Sequence, residues 1–172
     1  MGGCLILPVI MVATILWADP RNTYIWLVVV VLLGFGGIGF VDDYVKRVRK
    51  SSQGLSARAK FSLQFLVAAA VAVCLYTYPD FDSRLMVPFF KDLQPDLGPW
   101  YILFAVFIIV GASNAVNLTD GLDGLAIGPI IVSFSCYLVF AYLAGHVRIA
   151  GYLQIPYVAG AGELSVLCGT VA

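Results

Sequence analysis

The sequence predicts an all-α protein, a polytopic transmembrane helical bundle with about five spans and the start of a sixth. Three observations predict it. At 61% hydrophobic and 12% charged, with mean hydropathy +0.95, the chain carries far more apolar surface than 172 residues could bury around one soluble core. The apolar residues fall in discrete runs rather than in the alternation of a barrel wall. Two aspartate pairs, Asp42/Asp43 and Asp120/Asp123, stand where such runs end.

The runs cover residues 5–17, 24–41, 61–78, 100–116 and 125–143, with a last one from 164 to 172. At about 1.5 Å of rise per residue, each of the four middle runs is long enough to cross a hydrocarbon core of roughly 30 Å. The first is short unless residues 1–4 contribute, and the last does not span. The chain is therefore expected to be an excerpt of a longer protein, with residues 1–172 forming part of one transmembrane domain. Gly128-Pro129 interrupts the fifth run, where a tolerated kink is expected. Residues 79–99 hold four prolines and four acids, which argues against a further helix; residues 85–90 could pair as a strand.

Connectors between successive spans alternate sides of the membrane. One side then holds residues 42–60 and 117–124, and the other holds 18–23, 79–99 and 144–163. Lys46, Arg47, Arg49, Lys50, Arg58 and Lys60 fall on the first side, against Arg21, Arg84, Lys91 and Arg148 on the second. By the positive-inside rule the first side is cytoplasmic and 79–99 is an extracytoplasmic loop. Both aspartate pairs are thus expected to face the cytoplasm.

The first candidate site is Gly34-Phe-Gly-Gly-Ile-Gly-Phe-Val-Asp-Asp-Tyr44. Its glycines predict a helix end with little side-chain bulk, open to close approach by a neighbouring helix or a lipid headgroup. Two adjacent carboxylates near low dielectric recruit a divalent cation, a basic partner or a proton. The plainer alternative is that Asp42 and Asp43 cap a basic helix that follows, worth about 0.3 to 1 kcal/mol. Lys46 lies one helical turn on, so a phosphate held at the aspartates could also reach a basic partner, while the basic stretch as a whole anchors to anionic lipid.

The second candidate site is Asn114-Ala-Val-Asn-Leu-Thr-Asp-Gly-Leu-Asp-Gly124. In a helical turn Asn117, Asp120 and Asp123 would share a face, with oxygens suited to a hard cation such as Mg²⁺ or to the donors of a base and ribose. Asn- and Asp-Gly-rich segments also make ordinary turns. Cys4, Cys74, Cys136 and Cys168 are far apart without C-x-x-C spacing and read as small buried hydrophobes. His146 reads as a surface histidine on the outer side.

With GFVDDYVK followed by NAVNLTDGLDGLA, and Met1-Gly-Gly at the start, the chain closely resembles the phospho-N-acetylmuramoyl-pentapeptide transferases, a branch of the polyprenyl-phosphate N-acetylhexosamine-1-phosphate transferases. The resemblance covers essentially the whole chain, from that family's third span into its eighth. Related branches usually read DDR where this chain reads DDY. The resemblance implies a multi-pass enzyme of the bacterial inner membrane, acting in peptidoglycan biosynthesis. It implies Mg²⁺-dependent transfer of phospho-MurNAc-pentapeptide from UDP-MurNAc-pentapeptide to undecaprenyl phosphate, giving lipid I and UMP. By the same resemblance Asp42 is the base toward the lipid phosphate, with Asp43 supporting it or the metal. Asn117, Asp120 and Asp123 line the uridine-diphosphate pocket, and Lys46 and Lys50 steady phosphates. Asp42 and Asp43 are the provisional metal ligands, because the family's later aspartate loop falls outside this chain, which alone is expected to be inactive. The lipid bilayer is the implied surroundings and a second copy a candidate partner; no nucleic acid is expected. The alternatives are the related UDP-GlcNAc transferase and, further off, a membrane transporter, whose carboxylates should lie nearer the bilayer midplane.

Overall fold

The computed structural model describes residues 3–49, 54–79, 81–87, 90, 93–119 and 125–172. Among them the chain is helical: α1 (Gly3–Trp17), α2 (Thr23–Arg49), α3 (Ala57–Tyr76), α4 (Trp100–Thr119), α5 (Ile127–Gly145), α6 (Val147–Leu153) and α7 (Leu164–Val171), with a 3-10 turn at Ala161–Glu163 before α7. Four helices, Thr23–Val48, Ala57–Tyr76, Trp100–Thr119 and Ile127–Gly145, are long and apolar enough to cross a membrane. A helix satisfies its backbone polar groups internally, which is what a lipid environment demands of such sequences. Large apolar side chains such as Leu66, Phe107, Val132 and Phe140 remain exposed on these helices, and α5 buries no residue at all. Surfaces of this kind belong against acyl chains or other apolar helices.

Three expectations are corrected. The second helix does not end at its glycines or aspartates; α2 runs on to Arg49, so Asp42 and Asp43 cap nothing and residues 42–49 are helix rather than loop. Interior Asp42 and Lys46 pair at i, i+4, which supports continuation. Gly128 and Pro129 do not kink a helix either, because α5 starts at Ile127 and places both in its first turn, where a missing N–H has no partner to lose. In the connector between α3 and α4 no strand forms among the described residues; one antiparallel bridge joins Arg84 to Asp96.

The chain divides into two compact units, residues 1–36 with 116–172, and residues 37–115. In the first, Ala18, Ile25, Val29 and Leu167 form the core, with Met11, Leu32, Phe134 and Val171 packed against it. Thr14 is fully buried, its hydroxyl 3.4 Å from that of Thr170. Leu7 of α1 lies against the bare backbone of Gly36, while Gly37 and Gly39 face open space. The connector before α2 meets the segment before α7: Asn22 donates its side-chain amide to the Gly160 carbonyl at 2.7 Å, and the Asp19 N–H donates to Glu163 Oε2 at 2.9 Å. Residues 18–23 and 160–163 therefore lie at one end of this unit, as alternation of the spans requires.

In the second unit the buried residues of α3, Gln64, Ala68, Val71 and Ala72, follow helical spacing. Small residues on that stripe admit a close neighbour. α3 is joined to α4 where Asn114 Nδ2 donates to Gln64 Oε1 at 3.0 Å. Gln64 lies near the start of α3 and Asn114 near the end of α4, so those two ends coincide. At the opposite end Phe81 packs edge-on against Tyr101 at 4.7 Å.

Candidate active site

The site is built around Asp42, which is only 7% exposed although it sits beside an open aspartate. Successive residues on a helix point about 100° apart, so Asp42 and Asp43 cannot face the same way. Asp42 points to a covered environment and Asp43 is exposed, with 61% of its side chain accessible. Lys46 lies one turn on and serves both: its Nζ donates to Asp42 Oδ2 at 2.6 Å and stands 3.8 Å from Asp43 Oδ1. The second oxygen of Asp42 is also engaged, since the Leu55 N–H donates to Oδ1 at 2.7 Å.

Leu55 reaches Asp42 because the chain turns back immediately before α3. Ser56 caps that helix, its Oγ accepting the Ala59 N–H at 3.3 Å, and the residue ahead of the cap presents its own N–H to α2. Gly54 leaves room for this. A Cβ there would collide with Asp42 Oδ1 and lie 2.9 Å from its Cγ and 2.8 Å from Lys46 Cε.

The donor set also bears on Mg²⁺. Mg²⁺ takes hard oxygen ligands, commonly one or two carboxylates completed by phosphates and water. The exposed Asp43 carboxylate fits that demand directly. Asp42 fits once Lys46 leaves Oδ2, because an ammonium and a divalent cation compete for one oxygen. No group of three or more His, Cys, Asp or Glu able to hold a metal occurs among the described residues.

Of the sequence-derived candidates, the structure brings Asp42, Asp43 and Lys46 together. Asn117 is exposed on the last turn of α4. Asp120, Asp123 and Lys50 lie outside the described residues. Reading the sequence alone missed Gly54, Leu55 and Gln64. Gln64 had a signal, as a polar residue inside an apolar run; a backbone donor such as that of Leu55 leaves none. Cys74 and Cys136 are exposed on apolar helices rather than buried, while Cys168 is buried. A groove of about 340 Å³ is lined by Phe61 and Phe65 of α3 and by Phe107, Val110 and Asn114 of α4, among others.

Comparison with known proteins agrees on the family. Residues 25–165 match the model of glycosyl transferase family 4. The chain is 56% identical over 171 residues to a phospho-N-acetylmuramoyl-pentapeptide-transferase of Pelobacter propionicus, covering 99% of this chain and 48% of the relative. It is 58% identical to the protein of that name from Desulfotalea psychrophila, with the same coverage. With that of Desulforapulum autotrophicum it shares 52% over 172 residues, 100% of this chain and 48% of the relative. The chain thus spans about half the length of the curated relatives it matches.

Proposed function

The chain belongs to glycosyl transferase family 4, and we propose that the protein containing it transfers phospho-MurNAc-pentapeptide from its UDP carrier to undecaprenyl phosphate at the cytoplasmic face of the bacterial inner membrane. The products are lipid I and UMP. The observation that carries the reading is the asymmetric carboxylate pair: Asp42 buried and oriented, Asp43 open beside it, and Lys46 shared between them, near the end of a membrane-spanning helix.

In this reaction an oxygen of the lipid phosphate forms a bond to the phosphorus attached to the sugar. The P–O bond to the uridine monophosphate breaks, and UMP leaves with that electron pair. Such chemistry needs alignment and charge neutralisation more than covalent participation by the protein. Asp42 accepts the proton of a monoprotonated lipid phosphate through the oxygen that Lys46 vacates. Lys46 then turns its ammonium to the phosphates, so the positive charge that stabilised the resting carboxylate follows the developing negative charge. Mg²⁺, held through Asp43, would supply neutralisation of the pyrophosphate when bound, leaving Asp42 Oδ2 for the proton. Asn117, Asp120 and Asp123, with Lys50, are proposed to line the uridine-diphosphate pocket. The apolar groove along α3 and α4, with Asn114 in its wall, suits an isoprenoid chain.

The test is UMP release by the full-length protein in lipid nanodiscs containing undecaprenyl phosphate, with UDP-MurNAc-pentapeptide compared against UDP-GlcNAc. Turnover of the former with Mg²⁺ present, lost in Asp42→Asn, is the expected result. Preferential turnover of UDP-GlcNAc would assign the protein to the related branch, and consumption of neither nucleotide would overturn the reading.

A further inference from the structure

The two oxygens of Asp42 are held by donors of opposite character. Oδ1 takes the N–H of Leu55 at 2.7 Å, a backbone group fixed in place by the Ser56 cap of α3. Oδ2 takes the ammonium of Lys46, at the end of a flexible side chain that is 42% exposed. A ligand phosphate arriving from solvent can draw Lys46 away, whereas it cannot remove the Leu55 amide without dislodging the start of α3. The carboxylate would then keep one oxygen anchored and have the other freed.

We propose that Gly54 and Leu55 form a positioning element that grips Asp42 by Oδ1, so that Oδ2 is the oxygen presented to the acceptor phosphate. This rests on the reading of Asp42 as the group that engages that phosphate. The argument stands on space as well as on the hydrogen bond. Gly54 is packed so tightly against the carboxylate that any side chain there would overlap Oδ1 and crowd Lys46 Cε at 2.8 Å. Gly54 is followed directly by Leu55 and the Ser56 cap of α3, and the atoms that a Cβ would meet belong to the Asp42 and Lys46 side chains, so those side chains are the movable partners. Even one methyl group at position 54 therefore swings the carboxylate off the Leu55 amide, leaving the helices in place. The role is positioning rather than catalysis, since neither residue needs to touch the substrate.

The experiment uses the full-length protein in nanodiscs and reads both turnover and amide exchange at Leu55. Gly54→Ala is expected to lower kcat for UMP release tenfold or more with KM for UDP-MurNAc-pentapeptide within twofold, because it disturbs an interaction aligned for the transition state rather than ground-state binding. Leu55 exchange should quicken at least tenfold in Gly54→Ala and in Asp42→Ala, a readout independent of activity. Leu55 exchange in the double variant Gly54→Ala/Asp42→Ala should be no faster than in Asp42→Ala alone, since both changes act through one carboxylate. Wild-type kcat in Gly54→Ala, or Leu55 exchange indifferent to Asp42→Ala, overturns the proposal. If Asp42→Asn turns over normally while Leu55 is protected, the role given to Asp42 fails and the contact survives; if Asp42→Asn is dead and Gly54→Ala is normal, the positioning element alone fails.

Discussion

The side-chain amide of Asn114 joins two helices, donating one hydrogen to Gln64 Oε1 of α3 at 3.0 Å and the other to the Val110 carbonyl of its own helix at 2.8 Å. Gln64 is 4% exposed, so the pair is a polar clasp within apolar surroundings. It fixes the end of α4, which leads toward residues 117–124, to the start of α3, just beyond the segment that presents the Leu55 amide.

Gln64→Leu should therefore destabilise the protein by about 1 kcal/mol, in the range measured for hydrogen bonds between helices in membranes. Asn114→Leu should cost about the same, and the double variant less than the sum, because the second change removes the group that the first left unpaired. Reversible unfolding in mixed micelles measures it; additive losses would show that the two side chains are not coupled.

Gly145 should tolerate no side chain. A Cβ there would lie 2.5 Å from Gly162 Cα and collide with the Gly162 nitrogen, and both obstacles are backbone that cannot rotate aside. Gly145→Ala is expected to lower stability by about 1 to 3 kcal/mol, the scale of overpacking. Gly37→Ala, which meets nothing within 4 Å, should be neutral or slightly stabilising under the same melt.

Asp43→Asn should separate metal binding from proton transfer. Asp43 is exposed and, among the described residues, meets the site through Lys46 at 3.8 Å, so the variant should fold normally and need about tenfold more Mg²⁺ for half-maximal UMP release. Titrating Mg²⁺ against rate checks this, and an unchanged midpoint would remove Asp43 from the ligand set.

The connector between α3 and α4 should loosen in acid. The Arg84 guanidinium holds the Asp82 carboxyl below its ordinary range, and hydrogen bonds from the Ser83 hydroxyl and the Gly98 N–H do the same for Asp96. Carboxyls depressed in the folded state add stability that is whole above their unfolded value of about 3.9 and lost as pH falls through the folded values. The bridge between Arg84 and Asp96, read as exchange of the Leu85 and Leu97 amides, should hold from pH 5 to 8 and open progressively below about 4. Exchange that rises between pH 8 and 5, after correction for the intrinsic rate, would contradict it.

Much of this architecture was legible before any coordinates. The helical class and the four membrane-length helices of the middle runs, in their order, follow from run length and hydropathy, while the run at 5–17, read among about five spans, forms a shorter apolar helix; the free energy of placing a side chain in lipid is nearly a sum over local residues. The i, i+4 relation of Asp42 and Lys46 was equally open to reading, since it depends only on helix periodicity. Element ends were less so: aspartates suit the start of a helix as well as its interior, so nothing local says that α2 passes through two of them to Arg49.

What the sequence by itself determined, then, is a bundle of membrane-length helices carrying an acidic pair beside a lysine. What only the tertiary structure decided is which aspartate is oriented and by what. Asp42 is gripped through the N–H of Leu55, thirteen residues on, and Gly54 is needed there for space. A backbone donor is common to every residue except proline, so its partner depends on where the chain returns, and no residue type announces it.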